Sequence, residues 1–252
     1  MDNEGNPPIA IMLMGNSQRT LLRTAIYAAA LLFIASAAKA ATILVSPLGS
    51  SDSAFVTLEG VLNPNDSEQF RQKVSNISKA IVAFQSDGGS VVAGIEIGRL
   101  IRLRNFITLV PDNTRCASAC ALAWLGGTHR LMAAGAQIGF HAAYNAGSGR
   151  ETGVGNALVG AYLSQIGLPD SAVIYVTQAP PDSMTWLTIS EAQQVGIDVA
   201  LFTPPSSQPE PQSKAAPIAP SNSAAMQRKA VEFVSLIIKL WNSQEPSAVL
   251  SF

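Results

Sequence analysis

The sequence has little charge, few aromatic residues and only two histidines. Charged residues make up 13% of the 252 residues, aromatic residues 6%, and the net charge is -1. A chain so close to neutral gives no electrostatic reason to expect nucleic acid or an anionic membrane surface as a partner. Hydrophobic residues make up 48%, which is typical of a globular chain. The length suits one domain of about 150 to 200 residues with appendages.

Residue patterns that bind metal ions are also missing. The two cysteines, Cys116 and Cys120, are accompanied by no CxxC or HxxxH pattern, so we expect neither a zinc site nor another cofactor. Lysine is absent between Lys79 and Lys214. A catalytic dyad of a serine with a lysine as its base is therefore disfavoured. The only lysines that could serve as the base from within the predicted domain lie before the candidate catalytic residues that are described below.

The first 40 residues have the pattern of an export signal. Arg19 and Arg23 precede an apolar run over residues 25–38, and Ala38-Lys39-Ala40 is a small-x-small cleavage site. The run is shorter than the roughly 20 residues of a typical membrane span. We predict a signal peptide (1–40) that is cleaved after Ala40, with an uncleaved inner-membrane anchor as the alternative. Either way, the body of the chain is expected to be periplasmic or otherwise exported.

An exported location changes the interpretation of the two cysteines. In an oxidising compartment, cysteines four residues apart can be joined when their side-chain directions allow it. The residues leave two alternatives open, a disulfide between Cys116 and Cys120 or two buried free thiols. A disulfide here would brace the turn around Ser118, and we hypothesise that its reduction lowers activity.

Alternating strand and helix patterns predict an α/β domain over residues 41–202. Apolar strands at 80–85 and 107–111 flank a helix at 91–103, and a further helix is expected from about Ala117 to Leu125. Residues 203–224 are rich in Pro, Ser and Gln and are predicted to be a disordered linker. Residues 225–252 read as an amphipathic helix and tail that packs on its own domain or a neighbouring subunit, or docks to a membrane or another protein.

Three short segments carry candidate chemistry, and each follows a predicted strand. Gly88 and Gly89 permit unusual backbone angles and leave amides exposed to a ligand, or they simply make a tight turn. Ser118 stands among small residues at a helix start, where it is either a nucleophile or a cap. His141 follows an apolar strand, where a histidine is a structural residue or a base. Their order favours chemistry, because a serine nucleophile needs a base such as histidine.

Four segments in this order resemble the proteolytic subunit of Clp protease and its exported relatives. They are SDGGSVVAGIEIGRLIR, CASACALAWLGG, AQIGFHAAY and LTISEAQQVGID, which lie within residues 55–200. The resemblance implies a Clp protease/crotonase-like ββα superhelix, with a parallel sheet and flanking helices, and assembly into homo-oligomers. It also implies Ser118 as the nucleophile, His141 as the base, and oxyanion amides on Gly89 and Ala119, next to Gly88.

The third catalytic position departs from the family pattern. Aligning residues 186–192 places Met184 where the family has an aspartate. Asp182 lies two residues away and is the candidate substitute, whereas Asp198 matches a different, structural position of the family. A Ser–His pair oriented by a backbone carbonyl, and an inactive relative, are the alternatives.

The sequence therefore predicts an exported serine endopeptidase that cleaves peptides through an acyl-enzyme. No ATPase partner is expected, because ATP is absent outside the cytoplasm. The alternative is an inactive scaffold or peptide-binding protein of the cell envelope on the same fold. Acyl-CoA chemistry is disfavoured, because the serine–histidine order does not suit it and CoA is not expected at an exported location.

Overall fold

The computed structural model describes residues 40–48 and 50–203. The predicted signal or anchor, the predicted linker and the predicted C-terminal helix lie outside these residues, apart from Ala40 and Thr203 at the edges. Among the helices that are described, none is both long and apolar enough to cross a membrane.

The described residues form nine strands and six helices, mostly in alternation. The strands are β1 (Thr42–Leu48), β2 (Ser50–Glu59), β3 (Lys79–Gln85), β4 (Ile107–Val110), β5 (Arg115–Ala117), β6 (Arg130–Ala133), β7 (Gln137–Phe140), β8 (Thr185–Trp186) and β9 (Ala200–Phe202). The helices are α1 (Asp66–Lys73), α2 (Val91–Leu103), α3 (Ala119–Leu125), α4 (Gly153–Gln165), α5 (Asp170–Thr177) and α6 (Ile189–Val195). This mixed α/β architecture confirms the predicted fold class.

The strands are arranged in two sheets that meet at the candidate site. The larger sheet has the order β1-β2-β3-β4-β6-β9, and all its pairs are parallel except the antiparallel β1–β2. The smaller sheet has the order β5-β7-β8, with β5 and β7 parallel. A bridge between Ser86 and Cys116 connects the two sheets. Residues that follow β3, β5 and β7 are thereby brought to one region.

Apolar runs and close helix contacts explain these positions. In β3, every residue from Ala80 to Phe84 is buried, as expected of a parallel strand that is covered on both faces. Helix α2 begins after Ser90, whose hydroxyl accepts a hydrogen bond from the amide of Ala93 at 3.3 Å. On that helix, a β-carbon at Gly94 would lie 2.2 Å from the carbonyl oxygen of Ala119. Glycine is therefore required for α2 to pack this tightly on α3.

Helix α3 is buried along its whole length, and its C-terminal end is held by side chains from three other elements. The hydroxyl of Tyr162 donates to the carbonyl of Leu122 at 2.9 Å, and that of Thr108 donates to the carbonyl of Trp124 at 2.8 Å. Arg130 donates from Nε to the carbonyl of Leu125 at 2.8 Å. These side chains donate to carbonyls in the last turn of the helix, where the regular pattern of backbone hydrogen bonds ends. They fix α3 and, with it, the turn that precedes α3.

Arg130 carries a positive charge into this buried region. Its side chain also donates to the carbonyl oxygen of Asp198 at 3.3 Å, while Asp198 itself is exposed. Burial is the main cause that lowers the pKa of Arg130, to about 10. The negative end of the helix dipole offsets part of this desolvation, because the guanidinium lies at the C-terminus of α3.

Candidate active site

Ser118 forms a sharp turn between a strand and a helix. Its φ is 55° and its ψ is -125°, a conformation that costs a residue with a side chain about 1–3 kcal/mol and persists where the surroundings hold it. Strand β5 ends at Ala117 and α3 begins at Ala119, so the predicted helix start at Ala117 was wrong by two residues. Serine nucleophiles are presented on strained strand-to-helix turns of this kind. In the described part of the chain, the hydroxyl of Ser118 has no hydrogen-bond partner.

The two cysteines are joined across this turn. Cys116 on β5 and Cys120 on α3 form a disulfide with a Cα–Cα distance of 5.2 Å, and both residues are fully buried. Of the two alternatives left by the sequence, the structure thus contains the disulfide. The bond ties the strand to the helix on either side of Ser118.

The glycine loop lies against the serine turn. Gly88 and Gly89 have φ values of +102° and +133°, which favour glycine. A β-carbon at Gly88 would lie 3.1 Å from the amide nitrogen of Ala119, so the loop and the first amide of α3 are neighbours. Within residues 40–48 and 50–203, the amides of Gly89 and Ala119 donate to no acceptor. Two free amides beside a serine are the donors that a developing oxyanion requires.

The ring of His141 is oriented by a backbone carbonyl. Its Nδ1 lies 2.8 Å from the carbonyl oxygen of Ala142, and the half-buried ring lies 5.5 Å from the ring of Tyr144. In the tautomer that donates from Nδ1, Nε2 is free to accept a proton. The two peptide units around this carbonyl are both hydrogen-bonded: the amide of Ala142 donates to the carbonyl of Ala179 at 2.7 Å, and the amide of Ala143 donates to Oδ1 of Asn156 at 2.7 Å.

Ser118 and His141 line one small cavity, with a volume of about 10 Å³. The rest of its wall is apolar and consists of Val91, Leu122, Phe140, Ala143, Val159 and Val176. No hydrogen bond joins the serine hydroxyl to the histidine ring in the described residues. Catalytic hydrogen bonds are often long before substrate binds, so this arrangement is compatible with a nucleophile and its base.

Among the described residues, no carboxylate forms a hydrogen bond or an ion pair with His141. Asp182 is exposed and makes no hydrogen bond or ion pair with another described residue, so its catalytic role stays a prediction. Met184 lies over β7, where a β-carbon on Gly139 would be 2.7 Å from Cγ of Met184. A thioether is only a weak hydrogen-bond acceptor. The group that meets the ring of His141 is therefore the carbonyl of Ala142.

The sequence left a backbone carbonyl open as the partner of this histidine, but it identified neither Ala142 nor Asn156, the two residues that support it. Ala142 acts through its backbone, for which a sequence carries no side-chain signal. Asn156 accepts a hydrogen bond from the amide of Ala143 through Oδ1 at 2.7 Å, and so holds the segment after His141. An asparagine in the first half of α4, whose other residues up to Leu163 are glycine, apolar or aromatic, was the available sign.

Comparison with protein-family models and with curated proteins finds no match. Among solved structures, the chain is similar to ClpP1 from Listeria monocytogenes, with 18% identity, a TM-score of 0.45, and coverage of 59% of this chain and 92% of that chain. It is similar to the 1510-N membrane protease specific for a stomatin homolog from Pyrococcus horikoshii, with 20% identity, a TM-score of 0.41, and coverage of 58% and 71%.

The chain is also similar to an enoyl-CoA hydratase from Bacillus halodurans, with 10% identity, a TM-score of 0.43, and coverage of 64% of this chain and 74% of that chain. Identities and TM-scores this low carry no conclusion about activity. The solved structures named here are thus ClpP1, a membrane protease and an enoyl-CoA hydratase.

Proposed function

We propose that this protein is an exported serine peptidase of the Clp proteolytic type, which hydrolyses peptides through an acyl-enzyme on Ser118. One observation carries the proposal: a strained turn presents Ser118 to the cavity that His141 also lines. The free amides of Gly89 and Ala119 lie beside that turn. Strain at a single serine, next to a base and unpaired donors, is typical of a functional site.

The proposed reaction follows from these positions. His141 accepts the hydroxyl proton of Ser118 at Nε2 while Oγ attacks the carbonyl carbon of the substrate. The amides of Gly89 and Ala119 donate to the oxyanion that develops. His141 then gives its proton to the leaving amine, and water hydrolyses the ester through the same base.

The carbonyl of Ala142 holds the histidine in the tautomer that this reaction requires. A carbonyl dipole stabilises the imidazolium less than a carboxylate does, because it carries only a partial charge. We therefore expect slower acylation than in an enzyme with a Ser-His-Asp triad. The peptide unit that carries this carbonyl is held through its own N–H, since the amide of Ala143 donates to Oδ1 of Asn156 at 2.7 Å.

Export and the lack of an ATPase partner belong to the same proposal. The Cys116–Cys120 disulfide is the kind of bond that persists in an oxidising compartment. Without ATP-driven unfolding, the substrates would be short or already unfolded peptides. Attachment to the inner membrane, through residues 25–38 or the C-terminal segment, is a further part of the proposal that lies outside the described residues.

Assembly into a homo-oligomer is supported by helix α4. Val154 and Leu158 are one helical turn apart and are 75% and 46% exposed, while Val159 and Leu163 on the opposite face are buried. A helix that is apolar on both faces suggests that its outer face meets another protein surface. A second copy of this chain is the partner we propose for it.

A non-enzymatic function has its own supporting observation. Met184 occupies the position at which a carboxylate would be expected, and Asp182 contacts no described partner. The alternative is therefore a peptide-binding protein of the cell envelope that uses the same cavity and glycine loop without turnover.

Labelling of the purified full chain with a fluorophosphonate probe tests the proposal. We expect labelling at Ser118, found by mass spectrometry of the tryptic peptide, and its loss in Ser118→Ala and His141→Ala. Ser183→Ala removes an exposed serine from a turn and should label like the wild type. If the folded wild type stays unlabelled, the peptidase proposal is wrong and the peptide-binding alternative takes its place.

A further inference from the structure

The cavity shared by Ser118 and His141 is very small for a substrate pocket. Its volume of about 10 Å³ is close to the space that one water molecule needs. A methyl group is of similar size. A longer aliphatic or aromatic side chain exceeds this volume.

The wall is rigid because it is built from four different helices and a strand. Val91 begins α2, Leu122 lies one turn into α3, Val159 lies on α4 and Val176 on α5. Leu122, Val159 and Val176 are at most 5% exposed. Close-packed interiors resist expansion, so a larger group could enter only by displacing buried valines.

The chemistry of the wall is as restrictive as its size. Its only polar side chains are those of Ser118 and His141, and both are engaged in the proposed reaction. A charged or strongly polar substrate group would lose its hydration here without gaining a partner. The cavity therefore admits a small apolar group.

We propose that this peptidase selects substrates whose residue on the acyl side of the cleaved bond is alanine or smaller. The inference rests on the proposed function, because the cavity adjoins the hydroxyl that would form the acyl-enzyme. The methyl group of alanine fills the space, whereas valine or phenylalanine overpacks it against Val159 and Val176. Apolar pockets discriminate about 10- to 200-fold for each methylene group.

Peptidyl diphenyl phosphonates that differ only in their terminal residue test this preference on the full chain. The alanine analogue should inactivate at least about 10-fold faster than the valine and phenylalanine analogues. Val176→Ala removes two methyl groups from the wall. It should therefore lower the ratio between the inactivation rates of the alanine and valine analogues. Val159→Ala provides an independent enlargement if the first variant does not fold.

A matched control separates cavity size from a general loss of packing. Val82→Ala removes the same atoms from a fully buried position on β3 that does not line the cavity, and it should leave the reactivity ratio unchanged. If fluorophosphonate labels Ser118 but the phenylalanine analogue reacts as fast as the alanine analogue, the inference is wrong and the proposed function stands. If neither fluorophosphonate nor any phosphonate reacts, the proposed function fails, and the inference with it.

Discussion

Gly88 lies directly against Ser118: a β-carbon on Gly88 would come within 2.7 Å of the β-carbon of Ser118 and 2.8 Å of the carbonyl oxygen of Ala117. Both residues have positive φ values, +102° and 55°. The glycine loop and the serine turn therefore interlock, and neither can relax without the other. A change in the loop is expected to displace the nucleophile.

Gly88→Ala should therefore impair chemistry as well as stability. Its methyl group would push the Ser118 turn away, and a misplacement of about 1 Å can cost about 100-fold in rate. We expect a loss of that order in the fluorophosphonate labelling rate, measured on protein shown to be folded by circular dichroism.

Gly167→Ala is the control for backbone strain alone. Gly167 also has a positive φ, +85°, but a β-carbon there would meet nothing within 4 Å. Both variants should lose about 1–2 kcal/mol of unfolding free energy from the strained angle. Equal labelling rates in the two variants would contradict the proposed contact between the loop and the nucleophile.

The disulfide is expected to stabilise the Ser118 turn. Replacing both Cys116 and Cys120 by alanine opens a very short loop, for which chain entropy gives about 2 kcal/mol of stability. Without the bond, β5 and α3 lose a restraint on either side of the strained serine, so labelling should slow as well. Thermal unfolding and the labelling rate of the double variant measure the two effects.

The folded wild type should nevertheless resist mild reductant. Both cysteines are 0% exposed, so a reductant reaches the sulfurs only when the segment opens. Reduction should lower activity after unfolding and refolding, but not when reductant is simply added to the folded protein. If the double alanine variant matched the wild type in labelling rate, the disulfide would have no positioning role.

Asp182→Asn should leave labelling unchanged. The carboxylate is exposed and forms no hydrogen bond or ion pair with a described residue, and the ring of His141 already bonds to the carbonyl of Ala142. The variant keeps the size of the side chain and removes its charge, so rate measurements across pH isolate an electrostatic role. A fall in rate of about 100-fold or more would instead show that the loop brings Asp182 to His141 during catalysis.

The parts of the fold that depend on local patterns could be predicted from the sequence. The helix expected at 91–103 is α2, and the apolar strand expected at 80–85 is β3 with one more residue. Apolar runs and capping residues act over one or two turns, so a short stretch of sequence is enough to predict these elements. The order of glycine loop, serine and histidine likewise indicated residues that the sheets bring together.

Other features depend on contacts between distant segments. The helix start at Ala117 was wrong because the angles of Ser118 are imposed by Gly88, the disulfide and the buried α3, rather than by its own propensity. The partner of His141 is a backbone carbonyl, a group that every residue has. The peptide unit that carries it is held by the bond from the amide of Ala143 to Oδ1 of Asn156, and no local pattern marks that pairing.

Arg130→Met should destabilise the fold without altering the chemistry of Ser118. The substitution keeps much of the buried aliphatic volume but leaves the carbonyl of Leu125 without its donor, which costs about 1–3 kcal/mol. Methionine also removes the buried positive charge, whose desolvation cost is reflected in the lowered pKa of Arg130, about 10. Removing that cost offsets part of the loss. Urea unfolding should therefore show a net loss within this range, with labelling per folded molecule close to the wild type. Arg99→Met is the control, because Arg99 is half-buried and bonds to Glu96 and Gln165 at the surface, where such an ion pair contributes at most about 1 kcal/mol. Equal losses in the two variants would contradict a capping role for Arg130 at the end of α3.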